Sequence, residues 1–250
     1  MAKTALILGV DTADGAYLAR LLGARGYRLW GTGGPGLIEE LGIAADVVRH
    51  NSIGAAVSDA RADEVYDLRP LGRYRAAATV ELLRILGRER LFSAGSSAPD
   101  AASAAIAAAR ANGRFAVTGH LFDRESRLGP GTSPVARIVV AARAGAEPSA
   151  NDLDTVSDCG WTPEYVDAMW RMLQRAKPAD FTISTGRALG GHEVARHAFA
   201  YFGRDATRFG GDAMATEAFG DPGPARADLG WRAATWGRDL VRTLCEGLAA

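Results

Sequence analysis

Thr4-Ala5-Leu6-Ile7-Leu8-Gly9-Val10-Asp11-Thr12-Ala13-Asp14-Gly15 is the stretch on which the fold turns. Thr4 to Leu8 is a short, nearly continuous apolar run that stops at a glycine, as a strand buried on both faces does. From Asp14 to Ala24 the apolar spacing becomes helical, with Tyr17, Leu18, Leu21 and Leu22 on one stripe. A strand, a glycine turn and a helix follow one another within about two dozen residues. The unpaired N–H groups and dipole at the start of such a helix favour an anion.

The same rhythm continues outward. Tyr27 to Gly31 is a strand closed by the breaker cluster Gly31 to Gly36, followed by a helix from Ile53 to Ala60. A strand is expected over Glu64 to Leu68, a helix over Ala76 to Leu86 and a strand over Arg90 to Ala94. A helix over Asp100 to Asn112 and a strand over Arg114 to Thr118 complete the alternation. Beyond Gly119 come a loop from Leu128 to Pro134 and a helix from Val135 to Ala144. Thr162 is expected to cap a helix that has Pro163 in its first position and Val166, Met169, Trp170 and Leu173 on one face. A strand at Asp180 to Ser184 and helices at Gly191 to Phe202 and Thr235 to Leu248 finish the chain. Strands alternating with helices through short loops make an α/β fold, a Rossmann-type doubly wound parallel sheet with a small C-terminal substrate-side lobe. The expected division is 1–125 for the dinucleotide-binding-type domain and 126–250 for a smaller lobe interleaved with it.

Composition narrows the partners. Lys+Arg and Asp+Glu are 29 each, which argues against nucleic acid or an anionic membrane. No run of 18 uncharged apolar residues is present, so no membrane span is expected. Cys159 and Cys245 are too few for a metal site or a disulfide framework, and a reducing, cytoplasmic setting fits them. His192 and His197 are five apart, not the four of a helical metal pair, and are expected on an exposed face; no metal site is expected.

Within the turn, Gly9, Thr12, Asp14 and Gly15 are the candidate cofactor-binding residues. Gly9 and Gly15 hold the outer positions of a G-x-x-G-x-x-G pattern, where glycine lets backbone approach a pyrophosphate. Thr12 stands in the middle position, where a side chain crowds the phosphates or donates a hydrogen bond to them. A turn kept for packing alone is the competing reading.

Further matches follow in order along the chain. Asp14-Gly15-Ala16-Tyr17-Leu18-Ala19 is similar to the D-G-S-Y-L-A of GDP-mannose 4,6-dehydratases, short-chain dehydrogenases of nucleotide-sugar metabolism. Asp63 to Leu68 resembles their D-E-I-Y-N-L, and Leu121 to Ser126 their L-F-N-H-E-S. Asp158-Cys159-Gly160, Tyr165-Val166, Trp170, Met172-Leu173-Gln174, Pro178, Asp180-Phe181 and Ile183 to Gly186 follow that family's most specific segment. Gly220-Asp221-Pro222 and Leu229-Gly230-Trp231 match near the C-terminus. The resemblance implies a bound NADP, a GDP-sugar in the C-terminal lobe and oligomers. It also implies a reaction of hydride removal at C4, loss of water across C5–C6 and hydride return at C6.

The groups for that chemistry are missing. The superfamily's base is a tyrosine with a lysine four residues later, which lowers its pKa through positive charge. Lysine occurs only as Lys3 and Lys177, so none of Tyr17, Tyr27, Tyr66, Tyr74, Tyr165 and Tyr201 has one at that spacing. The segment that should carry the pair is deleted between Pro99 and Asp100. The family's S-T-S-E is Gly95-Ser96-Ser97-Ala98, which puts alanine at the glutamate position. Ser96 is the remaining catalytic candidate. Asp100, as a replacement carboxylate or a helix cap, and Tyr74 are the others.

Ligand contacts have thinned as well. Gly34-Pro35 replaces the paired arginines expected for an NADP 2′-phosphate, which favours NAD if either dinucleotide binds. Asp123 and Ser157 replace an asparagine and an arginine, and an R-P pair is lost around Gly211-Asp212. Arg124, Arg127 and Arg137 are the available phosphate ligands, with Arg124 and Arg137 as the substrate-binding candidates. The sequence thus points to a binding or regulatory protein without dehydratase catalysis, whose partner is a GDP-sugar, a dinucleotide, a second copy or an active homologue. An active NAD(P)-dependent nucleotide-sugar enzyme with replacement residues is the alternative.

Overall fold

The structure is a computed structural model and describes residues 2–128, 132–210 and 219–249. The first half runs β1 (Thr4–Leu8), α1 (Ala13–Ala24), β2 (Arg28–Thr32), α2 (Gly36–Glu40), β3 (Val47–His50) and α3 (Ile53–Ala60). It continues with β4 (Glu64–Asp67), α4 (Arg75–Ile85), β5 (Arg90–Gly95), α5 (Ala101–Ala111) and β6 (Ala116–Leu121). The second half contains β7 (Asp123–Glu125), α6 (Pro134–Ala144), α7 (Ala150–Leu153), β8 (Val156–Ser157), β9 (Cys159–Trp161) and α8 (Thr162–Gln174). It ends with β10 (Phe181–Ile183), β11 (Leu189–Gly190), α9 (Gly191–Tyr201), α10 (Gly223–Leu229) and α11 (Gly237–Ala249).

Seven strands form one sheet in the order β10-β6-β5-β4-β1-β2-β3, every pair parallel. Period-two alternation divides the strands between two faces. Ala5, Ile7, Tyr66, Phe92 and Val117 are buried under α1 and α8 together with Leu18, Leu22, Val166, Met169 and Leu173. Leu6, Leu8, Val65, Leu91 and Ala116 face the other way, onto Ala56 of α3, Leu82 of α4 and Ile106 of α5. This is the expected doubly wound sheet. A separate cluster, including Ile138, Val139, Ala195, Phe199, Leu240 and Val241, holds α6, α9 and α11 together as a small second core. The chain does not stay in that lobe, because α8 covers the main sheet and β10 extends it beside β6.

Four local readings change. Val47–His50 forms an edge strand against β2 that no alternating apolar pattern announces, because Val48 and Arg49 are exposed there. The breaker cluster shortens to a turn: Thr32 stays in β2 and α2 begins at Gly36. Thr162 is the first residue of α8 rather than its cap; Trp161 takes the cap position without a side-chain hydrogen bond, and Thr162 is buried. The last helix begins at Gly237, because the Thr235 hydroxyl donates to Glu164 Oε1 at 2.7 Å and is held outside it.

At the N-terminal end of the sheet, Glu64 is fully buried. Its Oε1 accepts from Lys3 Nζ at 2.7 Å, Gln174 Nε2 at 3.0 Å and Tyr27 OH at 3.2 Å, and its Oε2 from Tyr66 OH at 2.7 Å. A carboxylate withdrawn from water needs such a set of donors. Burial, reinforced by Glu64, pushes the Tyr66 phenol well above its usual range, which keeps it a neutral donor. A cavity of about 660 Å³ opens beside this network, at the end of the sheet opposite the glycine turn.

Candidate functional site

In open α/β sheets, ligands sit outside the carboxyl ends of the strands. At that end, Gly9 and Val10 N–H both donate to the Thr32 carbonyl at 3.0 Å, which ties the turn to the end of β2. Gly9 has φ +88°, and a Cβ on Gly15 would stand 2.1 Å from the Gly9 carbonyl oxygen. Both glycines are therefore required by the turn's own backbone. The Thr12 hydroxyl folds back into the turn, donating to the Gly9 carbonyl at 2.8 Å and accepting from Gly15 N–H at 3.0 Å. Thr12 is thus the N-cap of α1, and its side chain is spent on the helix. The first-turn amides of Ala13 and Asp14 have no acceptor within the helix.

A cavity of about 330 Å³ lies against this helix start, walled by Thr12, Ala13, Asp14, the β7 residues Asp123 to Glu125, and Ser133. Arg124 reaches across it: Nε donates to Asp14 Oδ1 at 2.7 Å, and a second prong joins Arg124 Nη2 to Asp14 Oδ2. Burial pulls the guanidinium pKa down, but the Asp14 charge and hydrogen bonds outweigh it and the net shift is upward. Glu125 is buried on the same wall with Ser133 Oγ donating to it, and burial raises its carboxyl above the usual range despite that bond. Asp14, Asp123 and Glu125 thus face one guanidinium that Asp14 already neutralises. Arg137 does not line this cavity, although one of its guanidinium nitrogens donates to the carbonyl of Thr132 on the cavity wall. It is exposed on α6, with Nε donating to Asp152 Oδ2 at 3.1 Å.

At the end of β5 the Ser96 hydroxyl donates to the Ala98 carbonyl at 2.7 Å, and the Ser96 carbonyl lies 3.0 Å from His120 Nδ1. Asp100 caps α5: its Oδ1 accepts from Ser103 N–H at 2.8 Å, while Ser103 Oγ accepts from Asp100 N–H at 2.8 Å. The helix then begins at Ala101, with alanine over most of its length. Tyr74 is 68% exposed, with the Arg73 guanidinium over its ring. His192 and His197 are half-buried rather than exposed, and His197 Nε2 lies 3.7 Å from Glu193. Among the described residues no cluster of His, Cys, Asp or Glu is arranged to hold a metal. Gly211-Asp212 and the loop residues 129–131 lie outside the described residues.

Two features escaped the sequence reading. Arg75 is buried on α4 and donates to Asp67 Oδ1 at 2.9 Å, to the Asp67 and Ala94 carbonyls at 2.9 and 3.1 Å and to Ser93 Oγ at 3.2 Å. It knits the ends of β4 and β5 together beneath α4. Asp11 crosses to the other side of the turn, where its Oδ2 accepts from Gly34 N–H at 3.2 Å. The sequence signal for Arg75 was an acid and a base near a strand end, a pattern shared by ordinary surface pairs, and a side chain bonded to a backbone amide, as Asp11 is, leaves no such signal.

The family model described as GDP-mannose 4,6 dehydratase matches residues 101–244. GDP-mannose 4,6 dehydratase 2 of Caenorhabditis elegans is 26% identical over 271 aligned positions, covering 80% of this chain and 71% of that protein. GDP-mannose 4,6 dehydratase of Homo sapiens is 38% identical over 95 residues, which are 36% of this chain and 26% of that one. The crystal structure of dTDP-glucose 4,6-dehydratase from Bacillus anthracis in complex with NAD superposes with a TM-score of 0.82. It covers 99% of this chain and 97% of its own at 10% identity, a likeness of fold alone. No described helix is long and apolar enough to cross a membrane. With the model spanning more than half of its length, on a Rossmann-type sheet of the same architecture, the chain belongs to the GDP-mannose 4,6 dehydratase family.

Proposed function

We propose that this chain is a nucleotide-binding member of its family that does not carry out the dehydratase reaction and acts as a binding or regulatory protein. The observation that carries the reading is the combined loss at the end of β5. No tyrosine has a lysine four residues on, and Ala98 stands where the resemblance puts a glutamate. Groups that act as a unit leave little to be rescued by one replacement. The replacements available locally are committed: Asp100 and Ser103 cap α5, and the Ser96 hydroxyl is bonded to the Ala98 carbonyl.

A nicotinamide dinucleotide is the proposed ligand of the turn. The start of α1 fits its pyrophosphate, because Gly9 and Gly15 keep the backbone close and the Ala13 and Asp14 amides lead the helix. The solved relative from Bacillus anthracis is in complex with NAD, which supports the reading by fold. Gly34-Pro35 after β2 supports NAD over NADP. Residues 1–125 supply this site in the proposal, and 126–250 the sugar-side lobe. The acidic wall formed by Asp14, Asp123 and Glu125 favours hydroxyl-rich or neutral groups there over further phosphates.

The test is direct. The purified chain is melted with and without NAD, NADP and GDP-mannose, and the sugar is followed for conversion. A rise in Tm with nucleotide and no conversion is expected. Protein-dependent release of the 4-keto-6-deoxy sugar overturns the loss of catalysis, and a Tm unmoved by any nucleotide overturns the binding role.

A further inference from the structure

We propose that Asp11 decides which nicotinamide dinucleotide this chain accepts, by taking the hydroxyls of the adenosine ribose and repelling a ribose 2′-phosphate. The inference rests on the dinucleotide reading above and adds to it a selectivity residue within the turn itself.

In the general Rossmann arrangement the ribose is read from the end of the second strand. An acidic side chain there accepts from the 2′-hydroxyl, whereas an arginine accommodates a 2′-phosphate. Here β2 ends at Thr32 and runs into Gly33-Gly34-Pro35, so that position offers neither kind of side chain. The carboxylate comes from the opposite direction. Because the Thr32 carbonyl accepts from Gly9 and Val10 N–H, the turn is clamped to the end of β2. Asp11, next in the chain, then projects over the two glycines. Its Oδ2 accepts from Gly34 N–H at 3.2 Å. Its Oδ1 lies 2.3 Å from where a Cβ on Gly33 would stand, and Gly33 itself has φ +126°.

Hydrogen bond and steric fit place the carboxylate over the same two glycines. The space that a side chain after β2 would fill is filled by Asp11 instead. The residue is exposed, so its oxygens remain open to a ligand. An ionised carboxylate accepts about four hydrogen bonds, and the Gly34 amide uses one. A ribose diol supplies two donors to such a group. A 2′-phosphate carries close to two negative charges, supplies no donor at neutral pH and meets like charge at contact distance.

Isothermal titration of the purified chain with NAD+ and with NADP+ tests this, in the wild type and in Asp11→Asn and Asp11→Ser. Asparagine keeps the shape and an acceptor for Gly34 N–H without the charge; serine removes the reach as well. The wild type is expected to bind NAD+ at least about tenfold more tightly than NADP+, with both variants bringing that ratio close to one. Circular dichroism melting of each variant shows that it is folded. A wild-type preference for NADP+, or a ratio unchanged in both variants, overturns the role of Asp11 and leaves the cofactor reading standing. Binding of neither dinucleotide by the folded wild type overturns the cofactor reading and this inference with it.

Discussion

Arg124 grips Asp14 with two prongs of its guanidinium, joining the first helix of the sheet to the short strand β7 that opens the second half of the chain. The two side chains are 23% and 13% exposed, so the pair is largely withdrawn from water. It also consumes the arginine nearest the start of α1 that the sequence offered as a phosphate ligand. The contact holds the wall of the cavity together.

Breaking that pair from one side leaves a mostly buried carboxylate without its partner. Arg124→Ala is expected to destabilise the fold by about 2 kcal/mol, below the cost for a fully buried pair because Asp14 regains some water. Urea denaturation of the variant beside Arg124→Ala/Asp14→Ala checks it. The double variant should recover part of the loss, and equal losses in both would show that the unpaired Asp14 carboxylate carries no penalty.

Thr12 separates helix capping from ligand contact. Thr12→Ala removes the acceptor for Gly15 N–H and should cost about 1 kcal/mol, whereas Thr12→Gly should cost only a few tenths. The glycine variant also opens the middle of the turn and is expected to bind dinucleotide at least as tightly as the wild type. Thermal melts and titrations on the same preparations report the two effects separately.

Glu125 makes stability depend on pH with a definite sign. Burial raises its folded pKa above the unfolded value, so the protonated form is favoured in the folded state. Its contribution is therefore fully present below the ordinary carboxylate range and is lost as pH rises through the raised folded pKa. Glu125→Gln keeps an acceptor for the Ser133 hydroxyl and cannot ionise. The variant should melt higher than the wild type at pH 7.5, with the gap closing by pH 4. A gap that widens on acidification would contradict the direction of the shift.

Restoring one lost group should not restore chemistry. Ala98→Glu returns a carboxylate to the turn after β5, but the tyrosine and lysine remain absent. No 4-keto-6-deoxy product from GDP-mannose is expected from this variant above the protein-free control. Measurable turnover would show that another residue of this chain already serves as the base.

At the other end of the sheet, Glu64→Ala removes the common acceptor of Lys3, Tyr27, Tyr66 and Gln174. The lost network should cost about 3 kcal/mol, read as a lowered urea midpoint, with dinucleotide affinity unchanged because the site lies at the opposite strand ends. A matching loss of affinity would instead show that the two ends are coupled.

The alternation of apolar strand and helical stripe determined the parallel sheet, because a residue's period places it on a face whatever its distant neighbours are. The same holds for Gly9 and Gly15, whose need for glycine arises within the turn. Motif order likewise made the family legible, together with the missing tyrosine–lysine pair and Ala98, since an absent side chain is absent in any fold. Val47–His50 became a strand only through its pairing with β2, for half of it faces water and carries no alternating signal. Tertiary structure alone decided the partners of the charged residues. Arg124 met Asp14, Arg137 met Asp152, Arg75 met Asp67, and Asp11 reached the turn beyond β2. Long polar side chains carry no period that names a partner. Their roles depend on which strand ends the fold brings within a few ångströms, which for Arg124 and Asp14 are 110 residues apart in the chain.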